Sequence, residues 1–191
     1  MAASSLAIAC SAFAGDVQAQ STTGPAKQAE ANNPYSRGES LELQSKFADA
    51  ATAYSEALAH DPANLPALLG LERMDAQLGR LEQFLPVVER AITAKPQLAP
   101  IREAQLRTLR SLGKRDQLHD AFERWRHDVP GDPTPAREYS RLLIADGDTR
   151  AADSVLRQAQ SELGSGRGFE YELAQLRAAT GLWDLSAQSW R

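Results

Sequence analysis

The chain has 191 residues, 42% of them hydrophobic and 24% charged, a composition that suits one folded domain rather than a disordered or membrane-embedded chain. Its formal net charge of −4 offers no excess of clustered Lys and Arg, the source of phosphate-backbone affinity, so nucleic acid is disfavoured as a partner. The one cysteine, Cys10, lies near the N-terminus, which leaves the rest of the chain without disulfides, Cys-ligated metals or a thiol nucleophile.

Residues 1–19 contain the apolar stretch Leu6 to Ala14 and reach Val17-Gln18-Ala19, whose small residue at the end suits a signal-peptidase cut. This predicts a signal peptide and an exported protein, periplasmic or extracellular, although the basic residues that usually open such a peptide are missing. The alternative is a lipoprotein signal ending at Cys10, but Ala7-Ile8-Ala9-Cys10 lacks the usual Leu three places before the cysteine. A lipid there would be the only membrane attachment, since no other apolar run approaches the roughly eighteen residues that span a bilayer. Residues 20–30, rich in Ser, Thr, Gly, Ala and Gln, read as a flexible linker.

From residue 31 to the C-terminus the chain repeats itself with a period of 34 residues. Gly79, Gly113, Gly147 and Gly181 share one phase, and Ser45 stands one step earlier in the same phase. Each lies between two amphipathic stretches, where a helix that stops sharply calls for a residue with positive φ. Pro62, Pro96 and Pro130 form a second series that ends the following stretch, because proline lacks an amide donor. Three core-type series keep step: Ala50, Phe84, Leu118, Ala152; Tyr54, Val88, Phe122, Leu156, Trp190; and Ala57, Ala91, Trp125, Ala159. No alternating run suggests a strand, so the fold class is all-α. Asn64 and Asp148 supply capping oxygens for two of the helices. Pro86 falls inside an expected helix and predicts a kink or a late start there, with the loss of a backbone hydrogen bond.

These units resemble the tetratricopeptide repeat, a 34-residue helix-turn-helix. The match is closest in residues 31–64, where Gly38, Phe47, Ala50, Tyr54, Ala57 and Pro62 fall on the family's positions. Segments 65–98, 99–132 and 133–166 keep the period with weaker signatures, and residues 167–191 begin a fifth unit. The resemblance implies antiparallel helix pairs stacked into a right-handed solenoid that binds a protein or peptide, not an enzyme, and it implies no cofactor or metal.

Three His-Asp pairs, His60-Asp61, His119-Asp120 and His127-Asp128, sit at helix ends or about 12 Å apart along one helix, too far to share an ion. Gly164-Ser165-Gly166-Arg167-Gly168 follows no strand and lacks a phosphate-binding lysine, so it reads as a loop. Acid pairs such as Glu39 and Glu42 are what helix faces ordinarily carry, and no nucleophile, base and orienting group fall together.

The informative set is Arg73, Arg107, Arg110, Arg137 and Arg141, which the resemblance places on the first helices of their units and hence on the concave face. Regularly spaced guanidiniums would suit an acidic segment, since Arg binds carboxylates bidentately. The competing expectation pairs these arginines with acids of the protein itself, such as Glu72, Glu103 or Glu138. Trp183 and Trp190, seven residues apart on the last expected helix, are core or end-cap positions first and a partner contact second. The function expected is an exported interaction scaffold with an arginine-bearing groove. The alternative is a structural subunit of an envelope complex, in secretion, outer-membrane biogenesis or polysaccharide export, using its ends and convex side.

Overall fold

The computed structural model describes residues 33–164 and 168–181, and among them every regular element is helical. In chain order they are α1 (Pro34–Leu43), α2 (Phe47–His60), α3 (Leu65–Gln77), a 3₁₀ turn (Leu81–Phe84) leading into α4 (Leu85–Ala94), α5 (Ala99–Ser111), α6 (Arg115–Asp128), α7 (Thr134–Ala145), α8 (Thr149–Leu163) and α9 (Glu170–Ala179). They alternate as first and second helices of units that follow the sequence period. Trp183, Trp190, Cys10 and most of the Gly164–Gly168 loop lie outside the described residues.

The sharp turn inside each unit is built the same way every time. Ser45, Gly79, Gly113 and Gly147 have φ of 58°, 67°, 68° and 79°. The next residue donates its N–H back to the carbonyl five positions earlier: Lys46 to Leu41 (2.9 Å), Arg80 to Asp75 (2.9 Å), Lys114 to Leu109 (3.0 Å) and Asp148 to Leu143 (2.9 Å). That is the Schellman closure, which satisfies carbonyls orphaned at a helix end and needs a left-handed residue to make it. Some helix starts are capped by side chains. Asn64 Oδ1 accepts from Ala67 N and Asp148 Oδ1 from Ala151 N, each at 3.1 Å, as their sequence positions predict. Pro34, Pro66, Pro100 and Pro135 occupy the first turns of α1, α3, α5 and α7, where a missing N–H costs nothing.

Pro86 has the same solution. The chain winds as a 3₁₀ turn through Phe84 and begins α4 at Leu85, so the proline sits in a first turn and the helix neither kinks nor loses a hydrogen bond to it.

All described members of the three core series are buried. The core divides within α5. Ile101 and Ala104 pack back on the first two units, while Leu106 and Leu109 belong to the cluster of the later units. On the same helix Gln105 and Thr108 are both buried, each with a side-chain oxygen that has no hydrogen-bond partner among the described residues.

Candidate interaction surface

The first helices pack on one another in an unbroken row, α1 on α3, α3 on α5, α5 on α7 and α7 on α9, whereas the second helices of neighbouring units barely meet. A stack that is tight on one side and splayed on the other curves toward the tight side. The first helices therefore line the concave face. On the outer side the splay leaves clefts, one of about 540 Å³ between α4 and α6 and one of about 520 Å³ between α6 and α8. The first is bridged by Arg124 to Glu89 at 3.4 Å, the second by Arg126 to Glu162 at 2.7 Å.

Arg73 stands on α3, Arg107 and Arg110 on α5, and Arg137 and Arg141 on α7. Each meets an acceptor of a neighbouring unit. Arg73 grips Glu42 with two hydrogen bonds, Nε to Oε1 at 3.0 Å and Nη2 to Oε2 at 2.9 Å. Arg107 holds Glu72 through Nη2 at 2.8 Å and Nε at 3.3 Å. Arg110 donates to Asp146 at 2.7 Å. Arg141 is shared by Glu138 (2.5 Å) on its own helix and Glu172 (2.7 Å) on α9, with its guanidinium 5.2 Å from the centre of the Tyr171 ring. Arg137 reaches the Gly168 carbonyl and lies over Phe169, 5.8 Å from the ring centre. The acids Glu72 and Glu138 named from the sequence as partners do pair with these arginines, and for Glu103 no ion pair forms among the described residues.

Sequence reasoning missed Glu42, Asp146 and Glu172 in this role. The signal was present, because the inter-unit pairs join residues 31 to 36 positions apart, close to one repeat. Glu42 also accepts from the Tyr54 hydroxyl at 2.6 Å. The Arg73 hydrogen bond holds the Glu42 carboxyl below its usual range against the opposing effect of burial, with Tyr54 helping. Burial, and then Glu42, push the Tyr54 phenol up. Glu138 goes the other way. Burial raises its carboxyl above the usual range and so do Glu103 and Glu172, with Arg141 and Arg107 opposing.

The arginines still show substantial surface: the side chains of Arg73, Arg107, Arg141 and Arg110 are 56%, 44%, 40% and 36% exposed. The pairs of Arg73, Arg107 and Arg110 are open enough to contribute at most about 1 kcal/mol each, so an incoming carboxylate can compete for them, whereas Arg141 is held by the buried Glu172. The His-Asp pairs stay apart on α2 and α6, and among the described residues no group of three or more His, Cys, Asp or Glu is placed to hold a metal ion.

This architecture is that of solved tetratricopeptide-repeat proteins. A thermophilic protein of this kind, TTC0263 from Thermus thermophilus, superposes with a TM-score of 0.50 at 18% identity over 83% of this chain and 87% of its own. A tetratricopeptide repeat protein from Parabacteroides merdae gives 0.54 at 15% identity, covering 88% of this chain and 65% of its own. MamA protein gives 0.50 at 16% identity, covering 85% and 89%. The chain has the tetratricopeptide-repeat fold. No protein-family model matches the sequence of this solenoid, and no curated protein matches it either. Where the first unit has small Ala50 and Ala57, later units place Phe84, Leu118 and Trp125, all buried, so the repeat keeps its period and its packing while losing its signature.

Proposed function

We propose that the chain is a protein-interaction scaffold whose concave face takes a segment of another protein, with Arg73, Arg107 and Arg110 offering donors to carboxylates of that segment. The supporting observation is the row of first helices carrying half-exposed arginines in register on one preformed face. A rigid face loses little freedom on binding. Arg137 and Arg141 belong to the same face but tie α9 to α7, so they complete the groove's floor at its far end. Export belongs to the proposal as well and rests on the Leu6 to Ala14 run and the small Ala19 before Gln20.

The test is capture of partners by the full chain and by a variant carrying Arg73→Gln, Arg107→Gln and Arg110→Gln, at low and moderate salt. Partners lost in the variant and weakened by salt support the groove, provided thermal melts show both proteins folded. Partners held equally by both proteins overturn it. N-terminal sequencing of the mature protein tests export: a start at Gln20 supports it, and an intact Met1 removes it.

A further inference from the structure

The concave face is not uniformly basic. Glu103 on α5, Glu138 on α7 and Glu172 on α9 follow one another at 35 and 34 residues, one from each successive first helix. They form an acidic counterpart to the arginines. Charge does not balance locally. Among the ion pairs of the described residues, Arg141 is the cation that meets Glu138 and Glu172, while Arg107, the other guanidinium acting on Glu138, directs its hydrogen bonds to Glu72. Among the described residues, Arg141 is thus the one guanidinium ion-paired with this group of three carboxylates.

Glu172 makes the shortage explicit. It is 1% exposed, Arg141 Nη2 stands 2.7 Å from its Oε1, and among the described residues no donor is aligned for a hydrogen bond to either carboxylate oxygen. A buried carboxylate normally collects two or more donors, and one left short makes its surroundings favour an added positive charge. Glu138 registers the same field from the partly open side of the cluster. Its carboxyl is pushed up by burial and by the two neighbouring acids.

We propose that this end of the concave face, at Glu103 and Glu138 backed by Glu172, receives a basic side chain, a lysine or arginine, of the segment bound in the groove. The inference rests on the reading of the concave face as the binding surface and specifies its partner further. The arrangement is not one that holds a metal ion, which requires ligands converging at close range, whereas an ammonium or guanidinium on a long stem can sit among carboxylates on separate helices. The earlier units offer Arg73, Arg107 and Arg110, so a segment acidic at one end and basic at the other would match the whole face in one direction only. Uniformly acidic or uniformly basic segments would meet like charge over half their length.

The probes are acetylated, amidated tetralysine and tetraglutamate, titrated separately into the ¹⁵N-labelled full chain at low salt, with amide chemical shifts as the readout. Tetralysine is expected to shift amides on α7 and α9 around Glu138 and Glu172, and Glu138→Gln should weaken that binding at least about threefold. Glu138→Gln keeps the side chain's size and removes one charge, so it should fold, and its spectrum shows whether it does. No tetralysine shift at these helices, or a shift unchanged in Glu138→Gln, overturns the inference. Tetraglutamate reports on the arginines independently. Its binding around Arg73 and Arg107 while tetralysine fails would sink only the basic subsite, failure of tetraglutamate alone would sink only the acidic-segment reading, and failure of both would remove the concave face as a charged groove.

Discussion

The ring of Tyr54 stands so close to Gly70 that a Cβ added to the glycine would lie 2.6 Å from Tyr54 Cζ. A Cβ added to Gly38 would come equally close to the ring, 2.6 Å from Cε1. A phenol clasped between two helix backbones packs the first unit on the second and aims its hydroxyl at Glu42. Gly70→Ala is expected to destabilise the protein by about 1–3 kcal/mol despite alanine's better helix propensity, because the ring cannot retreat. Tyr54→Leu should recover part of that loss in the double variant. Urea unfolding of the two single variants and the double variant checks both statements.

The turn residues give a cleaner contrast, since nothing lies within 4 Å of a Cβ built on Gly113. With no clash available, Gly113→Ala tests backbone strain alone at φ of 68° and should cost about 1 kcal/mol. Ser45 already bears that strain at φ of 58°, so Ser45→Gly should gain roughly the same amount. Opposite shifts in denaturation midpoint are the expected result.

Glu42 and Glu138 should respond to pH in opposite senses. The folded Glu42 carboxyl sits below its ordinary value of 4.5, so its contribution is present above pH 4.5 and is lost as pH falls through the lowered value. Glu42→Gln should thus be less stable than the parent at neutral pH, by about 1 kcal/mol at most, with the gap closing in acid. The folded Glu138 carboxyl sits above 4.5, so its favourable contribution is present below pH 4.5 and disappears as pH rises through the raised value. Glu138→Gln should be slightly more stable than the parent at neutral pH and indistinguishable from it in acid. Urea titrations across this range read both variants.

Trp125 occupies a position that is alanine in the units on either side, and it is 1% exposed. Trp125→Ala leaves a cavity that neighbours fixed by helix geometry cannot fill, and should cost about 3–5 kcal/mol. Because such a loss can unfold a small domain, Trp125→Phe provides a milder variant with an intermediate denaturation midpoint.

The sequence carries the fold where backbone geometry limits residue choice. Positive φ at Gly79, Gly113 and Gly147 leaves glycine as the residue without penalty, and Asn64 and Asp148 cap because few side chains can. The core series are readable because burial restricts each phase to apolar residues, with size free to vary from Ala50 to Phe84. The groove is only half readable. The positions of the arginines follow from the period, but their partners depend on how long side chains cross between units, as Arg141 does to Glu172. Pro86 gives the late helix start that its position allowed, without a kink: a 3₁₀ turn through Phe84 converts an interior proline into an initial one.

The polar seam at Gln105 and Thr108 bears on how the array comes apart. In a linear stack each unit is secured only by its immediate neighbours, so cooperativity passes along the chain through one junction at a time. Two buried oxygens without partners among the described residues weaken the packing of α5, the helix at which the apolar core also divides. Under mechanical load the solenoid should therefore yield there as two blocks rather than fray unit by unit, and a partner spanning the seam would act as a splint that sets the angle between them.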